Sequence, residues 1–280
     1  MDARELGKFI SLIEDGTYVA DATHISHAHV IGITGPPGVG KSTTTSQLIR
    51  IFRARGQRVA VLAVDPSSPV SGGALLGDRI RMQEHALDEG VFIRSMSARG
   101  QLGGLARATF EAAQFLGSHG YDVVLMETVG VGQSEVEVVN VANTVVLVMS
   151  PGAGDSIQAA KAGILEVADV YVVNKSDRDG ADIVLRELRN MVAMGQREDG
   201  EWTPIVVRAS AALSEGIDEV VVALDRHREW TLAHGIDKAQ ALAAKLNSAR
   251  EQVKQIVDRA VKGELTADQA ADLIAKALGR

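Results

Sequence analysis

The run Gly35-Pro36-Pro37-Gly38-Val39-Gly40-Lys41-Ser42-Thr43 opens with eight residues that fit G-x-x-x-x-G-K-[ST], the phosphate-loop pattern. Val30-Ile31-Gly32-Ile33-Thr34 reads as a buried strand entering it, and Thr43 to Phe52 reads as a helix leaving it. That strand–loop–helix setting separates a phosphate loop from an ordinary Gly-rich turn. Glycines let successive backbone N–H groups turn inward around an anion, and the helix N-terminus adds partial positive charge. Lys41 is then expected to reach the β- and γ-phosphates of a nucleoside triphosphate. The Ser42 hydroxyl is expected to ligate the Mg²⁺ that accompanies them.

Outward from this loop, buried strands end in polar residues where an open α/β sheet places its ligands. Arg58 to Val64 is an apolar run of the parallel-sheet type, ending at Asp65-Pro66-Ser67-Ser68-Pro69. Asp65 is a candidate Mg²⁺ carboxylate, and a Pro-flanked turn with a capping Asp is the alternative. Ser71-Gly72-Gly73 through Asp78-Arg79 is Gly-rich and ends in charge. It reads as a switch over the γ-phosphate with Asp78 near Mg²⁺ or the attacking water, or else as a solvated loop. Tyr121 to Glu127 is another buried strand ending in a carboxylate, at the place of the second acidic motif of phosphate-loop enzymes. Thr128-Val129-Gly130 follows, and the Gly130 N–H is expected to sense the γ-phosphate.

Further on, Thr144 to Met149 and Asp169 to Val173 are strands, the second leading into Asn174-Lys175-Ser176-Asp177. A carboxylate at Asp177 can accept hydrogen bonds from guanine N1–H and the 2-amino group, a pair that adenine does not offer. Asn174 is expected to tie this loop to the phosphate loop, with the Lys175 stem packed on the base. Pro204 to Arg208 is the last strand, and the small residues Ser210 and Ala211 after it are expected to bring backbone N–H groups to guanine O6. These motifs predict an α/β phosphate-loop fold, a mostly parallel central sheet with helices on both faces. The guanine motif selects GTP and GDP as the ligands.

The ends read as helical additions. Leu6, Phe9, Ile10 and Ile13 have helical spacing, giving an N-terminal arm over residues 1–28 before a GTPase domain over 29–234. Residues 235–280 form a helical tail, interrupted at Gly263, with Thr266 and Gln269 as a capping box. The tail is either a satellite of the domain or a dimer arm. His24, His27 and His29 before the first strand form either a metal site or a polar loop. The chain is 46% hydrophobic but only 4% aromatic, so its core is aliphatic. A net charge of -7 without a basic block argues against nucleic acid or an anionic membrane as partner. The absence of cysteine excludes disulfides and thiolate metal sites. No apolar signal core or membrane-length run is present, so a cytoplasmic location is expected.

Together these motifs resemble the MeaB/ArgK family of GTPases, a branch of the group that includes the metal-chaperone GTPases of hydrogenase and urease maturation. The resemblance covers roughly Val30 to Glu219. It is carried by Gly35–Thr43, Val64-Asp65-Pro66-Ser67-Ser68, Ser71-Gly72-Gly73 with Leu76-Gly77-Asp78-Arg79, Glu127-Thr128-Val129-Gly130-Val131-Gly132-Gln133-Ser134-Glu135, Pro151-Gly152-Ala153-Gly154-Asp155 and Asn174–Asp177. A Glu at position 127 is usual in that family. The resemblance implies a homodimeric G-protein chaperone of an adenosylcobalamin-dependent acyl-CoA mutase. The client is typically methylmalonyl-CoA mutase, with a sister such as 2-hydroxyisobutyryl-CoA mutase as an alternative. It also implies that Asp65, Asp78 and Glu127 serve the Mg²⁺ and γ-phosphate, and that Gly152 to Lys161 is a further switch facing the mutase. Two other readings stand beside it: a nickel chaperone using His24, His27 and His29, and a small-molecule kinase.

Overall fold

The computed structural model describes residues 1–18, 26–65, 83–85, 87–97, 104–128, 141–152, 165, 167–235 and 252–277. Seven strands build one sheet: β1 (His29–Thr34), β2 (Val59–Asp65), β3 (Val91–Ser97), β4 (Val123–Thr128), β5 (Thr144–Met149), β6 (Val170–Val173) and β7 (Ile205–Arg208). Their spatial order is β3-β2-β4-β1-β5-β6-β7, and every pairing is parallel. Strands β1, β4 and β5 are buried along their whole length. Their continuous Val/Ile/Leu runs reflect burial on both faces, since crossover helices cover each side.

Alternate residues of each strand feed two cores. Ile31, Ile33, Val123, Leu125, Val146 and Val148 face α2 (Lys41–Ala54) and α5 (Ile217–Ala233). Val30, Val124, Met126, Val145 and Leu147 face α1 (Ala3–Glu14), α3 (Gly104–Ser118) and α4 (Ala181–Met194). The expected N-terminal helix is therefore part of the main core, through Leu6, Ile10 and Ile13. It starts at a capping box in which Asp2 accepts from the Glu5 N–H and Glu5 from the Asp2 N–H. Helix α4 was not foreseen, although Val184, Leu188 and Val192 recur at the helical spacing of four. In the tail, residues 252–261 are helical and α6 (Ala267–Ala277) follows. The Thr266 and Gln269 box closes as expected, at 3.0 and 3.2 Å.

The order of the strands positions the site. From β1 the chain crosses to β2 on one side, while β5 lies on the other. The crevice beyond the carboxyl ends of β1, β4 and β5 is the topological switch point of the sheet. The loop from Gly35 to Gly40 emerges there.

Candidate functional site: a phosphate loop joined to a guanine motif

The phosphate loop adopts the backbone its glycines permit. Gly35, Gly38 and Gly40 have φ of 139°, 79° and 101°. At Gly35 a Cβ would lie 2.1 Å from the Val148 carbonyl oxygen, and at Gly40 one would lie 2.3 Å from Asn174 Nδ2. Only glycine therefore lets the loop approach β5 and the Asn174 side chain this closely. Pro37 and Gly38 are exposed at the loop's outer turn, and Val39 is buried beneath it. Lys41 opens α2 and is buried, its Nζ donating to the Gly35 and Pro36 carbonyls at 2.8 and 3.1 Å. Thr43 is exposed one position beyond Ser42.

A second constellation joins the loop helix to β4. Ser42 Oγ donates to Glu127 Oε1 at 2.5 Å, and Thr45 Oγ1 donates to Glu127 Oε2 at 2.8 Å. Both carboxylate oxygens are thus oriented by hydroxyls from one face of α2, and Glu127 is only 4% exposed. Thr45 was not anticipated, yet it stands three residues after Ser42 and so shares its face. The cluster offers hard oxygen donors, the chemistry that suits Mg²⁺. Asp65 ends β2, in register beside β4 where Ala63 pairs with Glu127 and Val64 with Thr128. Asp78, Gly130 and the loop beyond Gly152 lie outside the described residues.

The guanine motif is fastened to the phosphate loop. Asn174, 2% exposed, donates from Nδ2 to the Val39 carbonyl at 2.8 Å. Lys175 adopts φ 55° and its Nζ donates to the Gly38 carbonyl at 2.5 Å. The Ser210 hydroxyl donates to Asp177 Oδ1 at 2.5 Å, and this bond holds the Asp177 carboxyl below its usual range. An ionised carboxylate at this position is an acceptor only. The Ala211 N–H, expected to meet guanine O6, donates to Asn174 Oδ1 at 2.9 Å. In this structure the Ala211 N–H thus orients Asn174, and the Ser210 hydroxyl orients Asp177.

The three histidines before β1 diverge in role. His29 is buried and bonds Thr144 Oγ1 through Nε2 at 2.7 Å, and the same hydroxyl meets His227 Nδ1 at 2.8 Å. His27 is exposed, and its carbonyl accepts from Arg228. His24 lies outside the described residues. Among the described residues no group of three His, Cys, Asp or Glu side chains is arranged to hold a metal ion.

A family model described as methylmalonyl Co-A mutase-associated GTPase MeaB matches residues 19–266. The chain belongs to the MeaB family. A Pyrococcus horikoshii protein named as a GTPase is 43% identical over all of this chain and 90% of its own length. A mouse protein named methylmalonic aciduria type A homolog, mitochondrial, is 38% identical over 88% of this chain and 65% of its own length. Among solved structures, one titled LAO/AO transport system kinase superposes with a TM-score of 0.67. It is 24% identical and covers 98% of this chain and 93% of the other, a likeness of fold. As a MeaB-family protein the chain is a phosphate-loop GTPase that binds guanine nucleotides. None of its described helices is long and apolar enough to cross a membrane.

Proposed function

We propose that this GTPase gates cofactor loading into, and protects, an adenosylcobalamin-dependent acyl-CoA mutase of the methylmalonyl-CoA mutase class. The observation that carries the proposal is the match to a mutase-associated family over most of the chain, which spans the phosphate loop, the Glu127 strand and the guanine motif. The name of the mouse relative, which refers to methylmalonic aciduria, supports the same client chemistry.

In this reading, residues 29–234 are the GTPase domain, 1–28 its arm and 235–280 a dimerisation tail. Gly35, Pro37, Gly38, Val39, Gly40, Ser42 and Thr43 line the phosphates, and Lys41 balances charge building on the γ-phosphoryl oxygens. Asn174, Lys175, Asp177, Ser210 and Ala211 fix the base. Ser42, Asp65, Asp78 and Glu127 are the residues that would hold Mg²⁺, directly or through water. When bound, the ion supplies neutralisation of phosphate charge. Glu127 keeps the Ser42 hydroxyl oriented toward the phosphate side, and Asp78 and Gly130 serve the γ-phosphate. Hydrolysis then depends on positioning and charge, with water attacking the γ-phosphorus as the bond to the β-phosphate oxygen breaks.

The dimer reading has local support. In the tail helix over 252–261, Val257 and Val261 share a face at a spacing of four and are 43% and 83% exposed. A stripe of that kind is suited to a second copy. Titrating the purified protein with methylmalonyl-CoA mutase while following phosphate release tests the proposal. A saturable rise in turnover is expected, and an unchanged rate at saturating mutase counts against it.

A further inference from the structure

The chain has two tryptophans, and both line one surface cavity of about 970 Å³. Trp202 lies just before β7, and Trp230 sits in the last turn of α5. Asp169, just before β6, and Pro204, just before β7, belong to the same wall. The cavity therefore opens at the amino ends of these strands, the edge of the parallel sheet opposite the phosphate loop. Its rings are held in place. Trp202 Nε1 donates to the Asp169 carbonyl at 2.9 Å, and His234 Nδ1 bonds the Trp230 carbonyl at 2.8 Å. The centroids of Trp202 and Trp230 are 5.7 Å apart, and His234 stacks on Trp230 at 4.7 Å. Met191 and Val192 of α4 add an apolar floor.

The rim of the cavity is acidic. Glu198, Asp199 and Glu201 border it, all exposed on the loop from α4 to β7. Glu201 Oε2 accepts the Glu198 N–H at 3.0 Å, which shapes this turn. Among the described lining residues Arg197 is the one permanent cation, and its Nη1 donates to the Val192 carbonyl at 2.6 Å. Aromatic faces attract cations through their ring quadrupole, and carboxylates at the rim add Coulomb attraction. A guanidinium answers both, since it stacks flat on a ring and pairs with carboxylates in a fork. The cavity has room for several side chains, and its floor suits an apolar neighbour of the cation. A second copy of this chain would bring its own net charge of -7 to the acidic rim. We propose that this cavity docks a basic segment of a partner protein. An arginine of that segment stacks on the Trp202 and Trp230 wall beside Glu198, Asp199 and Glu201, and an apolar neighbour rests on Met191 and Val192. Docking here is independent of which client the GTPase serves.

Because both tryptophans line the cavity, the intrinsic fluorescence of the full chain reads it directly. The probe is a short peptide of alternating arginine and leucine, compared with a glutamate–leucine peptide and with arginine amide alone. A saturable change in emission is expected with the arginine–leucine peptide, and with neither comparison at the same concentration. Affinity should fall by about 10-fold or more in Trp230→Leu, and in a rim variant joining Glu198→Gln, Asp199→Asn and Glu201→Gln. It should stay within about 2-fold in a charge-matched variant joining Glu187→Gln, Asp218→Asn and Glu219→Gln, exposed positions that do not line the cavity. The rim changes keep side-chain size on an exposed loop, so they carry the test if Trp230→Leu lowers the unfolding midpoint. Equal weakening in both triple variants would overturn the proposal, because the peptide would then follow net charge alone. Saturation by arginine amide at the same concentration would overturn it in favour of a small cation. A dimer that the rim variant dissociates would overturn it in favour of a second copy. An emission unchanged at every peptide concentration would overturn it outright.

Discussion

Asn174 donates its side-chain amide to the Val39 carbonyl at 2.8 Å, joining positions 135 residues apart in sequence. The same side chain accepts from the Ala211 N–H at 2.9 Å. One buried amide thus links the phosphate loop, the guanine motif and the turn after β7. The two loops are thereby tied to a single rigid junction, and removal of either partner strands a buried polar group.

Gly40→Ala forces this junction apart, because its Cβ would lie 2.3 Å from Asn174 Nδ2 on a backbone with φ of 101°. GDP affinity measured by calorimetry should fall by about 10-fold or more, and Asn174→Ala should fall similarly. The double mutant should be clearly less than additive.

Asp177→Asn replaces an acceptor-only carboxylate by an amide with two donors. GDP should bind about 100-fold more weakly, since the amide cannot accept from both N1–H and the 2-amino group. Xanthosine diphosphate carries a carbonyl in place of that amine, so its affinity should rise. Equal losses for both nucleotides would contradict the assigned role.

Glu127→Gln leaves the shape of the site but can accept only one of the two hydroxyl donors, Ser42 or Thr45, in full. Hydrolysis should fall by about 100-fold with a higher Mg²⁺ requirement, while GDP binding without Mg²⁺ stays near the parent value. Phosphate release across a Mg²⁺ titration reads both effects.

His29 makes stability depend on pH. Burial, aided by Arg228 and His227, lowers its pKa from 6.5 to about 3. The folded chain therefore holds His29 neutral, while the unfolded chain takes up a proton below pH 6.5. Stability present above pH 6.5 should be lost as pH falls toward 3, by at most about 1.4 kcal/mol per pH unit from this group. Denaturant unfolding from pH 6.5 to 5, above the carboxylate range, should show a shallower slope in His29→Gln.

The tail offers a test of assembly. Val257→Glu with Val261→Glu puts charge on the exposed apolar stripe of residues 252–261. Light scattering should show a dimer converted to a monomer with GTPase activity retained, and an unchanged mass would remove this stripe from the interface.

Much of the sheet could be read from its strands because both faces are buried, which turns β1, β4 and β5 into unbroken apolar runs. The phosphate loop and guanine motif were legible for a different reason. Their chemistry needs fixed residue types at fixed spacing, and the link through Asn174 follows from that chemistry. Helix α4 was passed over although Val184, Leu188 and Val192 mark its buried face. Thr45 was less legible, because a hydroxyl inside a helix does not reveal which distant carboxylate it meets. Glu127 comes from a separate part of the chain, and only the fold brings it to α2.

We propose that guanine nucleotide controls engagement of a cobalamin-dependent acyl-CoA mutase. The direct measurement is capture of purified methylmalonyl-CoA mutase on the immobilised chain, with GDP, with a non-hydrolysable GTP analogue and without nucleotide. Capture should differ in strength between the two nucleotides and be lost in Asp177→Asn with guanine nucleotides. Absence of capture in every state, while GTP is still hydrolysed, would contradict it.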